Sequence, residues 1–271
     1  MKKKIYEYNF KLPLILALVA LAVLLAIYFG MGGKPPVDDE TTPEPAETTE
    51  PKQEEPMPSI SFKSDLSAFE DAMTVTDEKY LLLINKQNKV DDSFVPSPLV
   101  KVKDAKKDIE LESTAARALE AMFIEMRAQG YTDVFVTSAY RSYSYQTWLF
   151  NYYIEEEKKD DPRLTDPEAR EKVLHYSAAP GTSEHQSGLA VDLITSGMGN
   201  ELDESFATYP VFDWLKENAW KFGFILRFPS DKTDITGYDY EPWHYRFVGR
   251  ENAYKIWQNG FCLEEFLEQK Q

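Results

Sequence analysis

The chain has little of what most metal and nucleic-acid sites are built from. Its 271 residues include one cysteine and three histidines, and 30 basic residues stand against 46 acidic ones, for a net charge of -16. The single cysteine, Cys262, excludes an intrachain disulfide and any multi-cysteine zinc or iron-sulfur centre. The acidity argues against nucleic acid as a partner, because phosphate contacts need clustered lysine and arginine. Any metal must therefore be held by histidines and carboxylates.

A long uncharged run lies near the start of the chain. Residues 12–31 carry no charge, and a helix of that length covers a hydrocarbon core of roughly 30 Å. The lysines before the run place the N-terminus in the cytoplasm. A cleaved signal peptide is the alternative, but Ile27, Tyr28 and Phe29 stand where cleavage requires small residues. We expect residues 1–33 to form a cytoplasmic basic start and a single-pass anchor in the lipid bilayer of the cell membrane, with everything after residue 33 extracellular.

Composition divides the remainder into two parts. Residues 34–58 contain seven prolines and eight acidic residues and almost nothing apolar, so this segment cannot offset its ordering entropy by burial. We expect a disordered Pro/Glu/Thr-rich linker that holds a domain away from the membrane. Residues 59–271 are long enough for one sizeable core and contain no internal repeat.

Local patterns in this domain predict a mixture of helices and strands. Helices are expected over residues 113–129, 144–158, 165–175 and 210–222, and strands over residues 80–85, 133–138, 188–194 and 245–248. The helix towards His175 opens with a capping box at Thr165 and Glu168. Because the elements lack a regular βαβ rhythm, the fold class is α+β.

Two of the three histidines lie near carboxylates. In the strand after Gly188, Asp192 falls on a face that is otherwise apolar, and a buried carboxylate there needs a partner. His185 lies on the other side of Gly188, which lets the backbone bend so that both side chains converge. Glu241 and His244 flank a proline and can point into one cleft.

Together these residues offer one carboxylate and two imidazoles, a ligand set suited to Zn²⁺ with a fourth position left for water. Glu241 would take a proton from water and later deliver it to a leaving amine, which is the chemistry of a zinc peptidase. Each residue alone is more typical of a structural role, and the conjunction carries the hypothesis. His175, at a helix C-terminus, is interpreted as structural.

A third segment offers an anion site. Arg141 lies between a predicted strand and the start of a helix, where exposed amides and the helix dipole favour negative charge. Gln146, in the first turn, can add a hydrogen bond to a substrate. The anion could be a peptide carboxylate or a developing oxyanion. A surface arginine paired with acidic neighbours is the alternative interpretation.

These motifs resemble a known family. Ser183-x-His185-x-x-Gly188-x-Ala190-x-Asp192, followed by Glu241-x-Trp-His244, is similar to the paired signature of the M15 family of zinc D-alanyl-D-alanine carboxypeptidases. Residues 138–146 resemble the preceding segment of its VanY-like branch. Residues 82–86, 222–228 and 236–238 extend the resemblance over residues 75–262.

The resemblance implies a compact α+β domain whose small antiparallel sheet carries one zinc ion. It implies His185, Asp192 and His244 as ligands and Glu241 as catalytic base. It implies that Arg141 stabilises the scissile carbonyl or the substrate carboxylate. Ser183 and Gln146 are further candidates for substrate binding.

The implied activity is removal of the C-terminal D-amino acid from peptidoglycan stem peptides. Three alternatives stay open: an L,D-carboxypeptidase acting on tetrapeptide stems, a non-catalytic zinc-containing domain that binds the cell wall, and, more weakly, an endopeptidase. Glu241 disfavours the binding domain, because a domain that only binds has no need of a base beside the metal.

Overall fold

The computed structural model describes residues 56–199 and 201–270. The predicted anchor and nearly all of the predicted linker therefore lie outside the described residues. Within the described ranges, no helix is both long enough and apolar enough to cross a membrane. The described ranges include nearly all of residues 59–271, the segment predicted to form the catalytic domain.

Helices and short strands alternate irregularly along this segment, so the predicted α+β class is confirmed. The strands are β1 Leu99–Lys101, β2 Glu110–Glu112, β3 Val134–Ser138, β4 Ala190–Thr195, β5 Phe224–Leu226 and β6 His244–Phe247. The helices are α1 Glu70–Met73, α2 Ser113–Ala128, α3 Tyr143–Asp160, α4 Asp166–Tyr176, α5 Pro210–Asn218, α6 Thr233–Thr236, α7 Arg250–Asn259 and α8 Leu263–Gln269.

Four strands form the main sheet in the order β3-β4-β6-β5, and every neighbouring pair is antiparallel. Strands β1 and β2 pair separately, also antiparallel. All six residues of β4 are buried, because the central strand is covered on both faces. The small antiparallel sheet implied by the family resemblance is present.

The core lies between helix α2 and one face of the main sheet. Glu112 caps α2 by accepting hydrogen bonds from the amides of Thr114 and Ala115 at 2.8 and 3.1 Å, which satisfies two donors that the helix cannot. The buried side of α2, including Phe123, packs in one cluster with Val191 and Leu193 of β4. These alternate strand residues face the core, which leaves the other face of β4 for polar chemistry.

Local capping signals place two further helices. The Ser142 hydroxyl accepts a hydrogen bond from the Tyr145 amide at 3.1 Å and opens α3. The predicted capping box at Thr165 and Glu168 is present and opens α4. The predicted helix over residues 210–222 divides into α5 and a 3-10 helix, Ala219–Phe222, which ends at Gly223.

The predicted strand over residues 80–85 is wrong. Its first residues form a 3-10 helix, Glu78–Leu81, which begins at Asp77 because the Asp77 carboxylate accepts a hydrogen bond from the Lys79 amide at 2.9 Å. The carbonyls of Tyr80 and Leu82 then accept hydrogen bonds from the buried Arg246 guanidinium at 3.1 and 2.7 Å. An arginine thus supplies donors that a neighbouring strand would have supplied, and the apolar run is largely buried, with Leu82 and Leu83 half-buried, without joining a sheet.

The predicted bend at Gly188 is confirmed. Gly188 has φ +67° and ends the 3-10 helix Glu184–Ser187 immediately before β4. A β-carbon at this position would lie 2.9 Å from Pro96 Cγ and 3.3 Å from the Glu112 amide nitrogen. Both the left-handed conformation and the close approach therefore require glycine here.

We expect Gly188→Ala to lower the free energy of unfolding by more than the roughly 1–3 kcal/mol that a left-handed non-glycine residue costs, because the added methyl group also meets Pro96. Chemical denaturation measures this. Gly260→Ala is the matched control, since Gly260 has a similar φ of +65° and open space around the added atom. Equal losses in the two variants would contradict the steric argument.

Candidate metal centre

Sheet register brings two of the predicted ligands together. Strands β4 and β6 pair so that Asp192 lies directly opposite His244. His185 approaches from the 3-10 helix that precedes Gly188. All three side chains are buried, with 2%, 1% and 4% exposure for His185, Asp192 and His244. Residues far apart in sequence thus converge on one point below the surface.

The three side chains present one ligand atom each within 4.8 Å of one another. His185 Nε2 lies 3.2 Å from Asp192 Oδ2, and His244 Nδ1 lies 3.1 Å from Asp192 Oδ1. The two imidazole planes are nearly perpendicular, at 87°. This arrangement places two nitrogens and a carboxylate around one small volume.

The orientation of His185 is fixed from behind. Its Nδ1 donates a hydrogen bond to the Ala139 carbonyl oxygen at 2.6 Å, so its Nε2 faces the cluster with a lone pair. Among the described residues, neither His185 Nε2 nor Asp192 Oδ1 has a hydrogen-bond partner. Buried polar atoms without partners are costly, and a cation between them would satisfy both. The donor set of two imidazoles and one carboxylate fits zinc.

Glu241 lies beside this cluster. Its Oε2 is 3.4 Å from His244 Nδ1. The Glu241 side chain keeps 18% of its surface exposed, whereas the metal-ligand candidates are buried. The turn is fixed by two backbone hydrogen bonds, from the Glu241 amide to the Phe228 carbonyl and from the His244 amide to the Glu241 carbonyl, both 3.1 Å. The carboxylate is thus held beside the metal-ligand candidates and open to the cavity.

Arg141 lies beside Asp192 in the same cluster. Its Nη2 is 3.5 Å from Asp192 Oδ2, and its Nη1 donates to Gln146 Oε1 at 3.0 Å. The Gln146 amide nitrogen donates to the Ala178 carbonyl at 2.7 Å, so both polar ends of this buried side chain are engaged. Gln146 therefore positions Arg141 in this structure, and its predicted direct contact with substrate stays a prediction.

Ser183 and His175 fall in different places. Ser183 is buried in the cavity wall, as a substrate-binding role requires. His175 lies in the last turn of α4, exposed, and outside the metal cluster. Its structural interpretation agrees with that position.

Sequence reasoning missed one residue that contacts the site, Glu184. This buried carboxylate accepts hydrogen bonds from Arg227 Nε at 2.7 Å and Arg246 Nη1 at 2.9 Å, and its Oε2 lies 3.5 Å from His244 Nε2. Arg227 also forms a two-pronged pair with Glu264, at 2.7 and 2.8 Å. The available signal was Arg246, a charged residue inside the apolar strand β6, which indicates a buried acidic partner without saying which one.

Burial and this charge network shift the pKa values of the site. Burial, helped by the nearby Arg141 guanidinium, lowers the pKa of His185 to about 4. Burial also raises the pKa of Glu241 to about 7, against the opposing effect of His244. Although burial disfavours a charged carboxylate, the Arg227 and Arg246 guanidiniums hold the pKa of Glu184 well below its ordinary range.

A cavity of about 460 Å³ opens over the cluster, a volume suited to a small peptide end. Its lining includes Arg141, Glu241, the three metal-ligand candidates and six aromatic side chains. The aromatic members are Tyr153, Tyr176, Phe228, Tyr238, Tyr240 and Trp243. The site is thus a cleft with an aromatic part of its lining and with the metal-ligand candidates, Glu241 and Arg141 lining one cavity.

Comparison with known proteins decides the family. The VanY family profile, described as D-alanyl-D-alanine carboxypeptidase, matches residues 108–250, which include every residue of the cluster. The chain belongs to the VanY family. The recognition made from the sequence motifs is confirmed.

Individual VanY relatives extend over most of the described domain. A D-alanyl-D-alanine carboxypeptidase of Enterococcus faecalis is 39% identical over 196 residues, which cover 69% of this chain and 65% of that protein. The chain thus spans slightly less than two thirds of that relative's length.

Two solved structures resemble this VanY domain. One is a VanY D,D-pentapeptidase mutant from a VanB-type vancomycin-resistance cassette in complex with Zn(II), with 37% identity, TM-score 0.59, and coverage of 70% of this chain and 99% of that one. The other is the LdcB LD-carboxypeptidase, with 36% identity, TM-score 0.61, and coverage of 72% and 89%. This VanY-family chain is a zinc metallocarboxypeptidase, so the predicted cofactor is confirmed.

We expect Glu184→Gln to weaken zinc binding by about 10- to 100-fold, because the neutral amide no longer places a negative charge 3.5 Å from Nε2 of His244. Chelator competition on the purified protein measures the affinity directly.

Glu264→Gln is the matched control for Glu184→Gln. It removes a buried carboxylate from the same arginine without touching His244, so it should lower the unfolding midpoint and leave zinc affinity near the parent value. If both variants lost zinc equally, general destabilisation rather than the lost charge beside His244 would explain the result.

Proposed function

We propose that this zinc carboxypeptidase removes the C-terminal D-alanine from peptidoglycan stem peptides that end in D-Ala-D-Ala. The observation that carries the proposal is one cavity in which Glu241 and Arg141 flank the metal cluster, at 3.4 Å from His244 and 3.5 Å from Asp192. A base and a cation, each beside a different ligand candidate of one metal site, match the needs of peptide hydrolysis.

Hydrolysis adds water to the scissile carbonyl carbon and breaks its bond to the terminal D-alanine nitrogen. A bound zinc ion supplies Lewis acidity, which polarises the carbonyl and makes water easier to deprotonate. Glu241 accepts the proton from the attacking water and delivers it to the departing nitrogen. The products are a shortened stem with a new carboxylate and free D-alanine.

Arg141 favours a terminal peptide bond over an internal one. Its guanidinium is held by Gln146 beside the cluster and can donate to a carboxylate or to the developing oxyanion. A free C-terminal carboxylate lies one residue beyond the scissile bond, whereas an internal peptide bond offers no such charge. This argues for a carboxypeptidase over an endopeptidase.

The test is incubation of the protein with a stem pentapeptide that ends in D-Ala-D-Ala, with products separated by mass. We expect release of one D-alanine and an intact tetrapeptide. A pentapeptide with an amidated C-terminus should be cleaved far more slowly, because Arg141 loses its partner. Cleavage of neither peptide, with zinc bound, would contradict the proposed function.

An L,D-carboxypeptidase is the second candidate. The likeness to LdcB, at 36% identity, supports this second candidate, because the same catalytic groups can act on a tetrapeptide stem. The two activities differ in the residue before the scissile bond, which is D-alanine in one and an L-centre in the other. Competition between equal amounts of pentapeptide and tetrapeptide ranks them in a single reaction.

We expect Glu241→Gln to retain zinc and to lose activity by about 10² to 10⁴-fold, the usual contribution of a general base. Glu204→Gln, an exposed glutamate that lines the same cavity, makes the same chemical change away from the cluster and should keep activity. Zinc content and kcat are measured for both variants. A fully active Glu241→Gln protein would remove the base assignment and favour a non-catalytic role for this position.

Residues 1–58 support a proposal for location. The basic start, the uncharged run over residues 12–31 and the proline-rich acidic segment suit a single-pass anchor and a tether that carries the domain into the cell wall outside the membrane. Membrane fractionation with protease added to intact cells, after wall removal, should leave only a short protected fragment. Release of the whole domain into the medium would favour a cleaved signal instead.

A further inference from the structure

Five aromatic side chains form a continuous strip along α3 and onto α4. The strip consists of Tyr145, Trp148, Tyr152, Tyr153 and Tyr176. Successive ring centroids lie 5.5, 5.7, 5.7 and 5.5 Å apart. Trp148 and Tyr152 are nearly parallel, with 18° between their planes. Each ring contacts the next, and four of the five are exposed while Tyr153 is half-buried.

This strip is unusual for its exposure. Tyr145, Trp148, Tyr152 and Tyr176 retain 46%, 57%, 45% and 46% of their surface. On α3 the spacing of three and four residues places the first three rings on one helix face. Large aromatics left in water forfeit burial energy, and a contiguous exposed patch of this kind marks an interaction surface.

The strip begins at the candidate active site. Tyr153 and Tyr176 line the cavity that holds Arg141 and the metal cluster. At the other end, Tyr145 lines an adjoining cavity of about 560 Å³ to which Arg141 also contributes. The exposed rings are therefore continuous with the surface that would hold the stem peptide.

The strip suits an uncharged ligand with flat apolar faces. Its rings carry no formal charge. The three glutamates that follow on the same helix, Glu155, Glu156 and Glu157, are each paired with a lysine, so they do not select an ionic ligand. Pyranose rings present a face of C–H groups that packs against aromatic rings, with hydroxyl and acetamido groups left to water. Phenolic hydroxyls at the ring edges can hydrogen-bond to those groups.

We propose that the aromatic strip binds the N-acetylated glycan strand to which the stem peptide is attached, so that the enzyme acts on glycan-linked stems in preference to free peptides. This inference rests on the proposed function. Four stem residues between the scissile bond and the sugar span roughly 13 Å when extended. From Tyr145 to Tyr153 the helix advances about 12 Å. A stem seated in the cavity therefore delivers its sugar end alongside the strip.

The test compares two substrates with the same pentapeptide, one free and one joined to the N-acetylated disaccharide, on the full-length chain. For the parent protein we expect a lower KM with the disaccharide substrate. The double variant Trp148→Ala/Tyr152→Ala should raise that KM by about five- to tenfold, and it should leave kcat and the KM for the free peptide unchanged. Trp148→Phe, which keeps a ring, should recover most of the difference.

Trp257→Ala is the matched control. Trp257 is also exposed, at 42%, and lies on α7, outside the strip and outside the lining of the candidate active site. This variant should keep the parent preference between the two substrates. Thermal unfolding of all variants separates loss of sugar binding from loss of structure.

Cosedimentation with glycan strands stripped of peptides keeps this proposal separable from the proposed function. Suppose that the parent protein cleaves neither peptide but still pellets with the strands, and that the double variant pellets less. That result would contradict the proposed function and support the binding of glycan by the aromatic strip. Equal KM for the two substrates in the parent protein would overturn the strip proposal. So would an equal loss on both substrates in the double variant, or a strip-dependent binding to phosphatidylcholine vesicles without a glycan effect.

Discussion

The ion pairs of Glu184 with Arg227 and Arg246 hold the metal centre in place. Glu184 precedes His185 in the 3-10 helix before β4, and its carboxylate lies 3.5 Å from Nε2 of His244 on β6. Burying one carboxylate costs several kcal/mol unless it is paired and hydrogen-bonded, and here two guanidiniums meet it. Because Arg246 also donates to the carbonyls of Tyr80 and Leu82, the same pairs fix the segment packed behind the sheet.

Much of the site was predictable because its chemistry is carried by residue types that are scarce in this chain. With three histidines and one cysteine, a carboxylate in an apolar strand left few ways to build a metal centre, and His185, Asp192 and His244 do converge. Glu184 was not predictable in the same way. One partner, Arg246, lies in β6 and the other, Arg227, directly follows β5. Which buried charge faces which is decided by three-dimensional packing rather than by local spacing.

The fold shows the same division between local and non-local causes. The helix from Ser113 was predicted from the spacing of its apolar residues, and the helix from Asp166 from its capping box; both signals lie in neighbouring residues. The segment from Tyr80 was predicted as a strand because a short apolar run fits a buried strand as well as a buried coil. Its backbone carbonyls accept hydrogen bonds from Arg246, which is far away in sequence. No residue within the segment indicates that partner.

The opposed positions of Asp192 and His244 tie metal affinity to strand register. A slip of one residue between β4 and β6 would turn one of the two side chains towards the core face, so neither a misregistered nor an unfolded chain can form the site. A ligand that binds only the native state adds to its stability, by about 2.7 kcal/mol at a hundredfold excess over its dissociation constant. The zinc concentration around the domain is therefore also a determinant of how much of it stays folded.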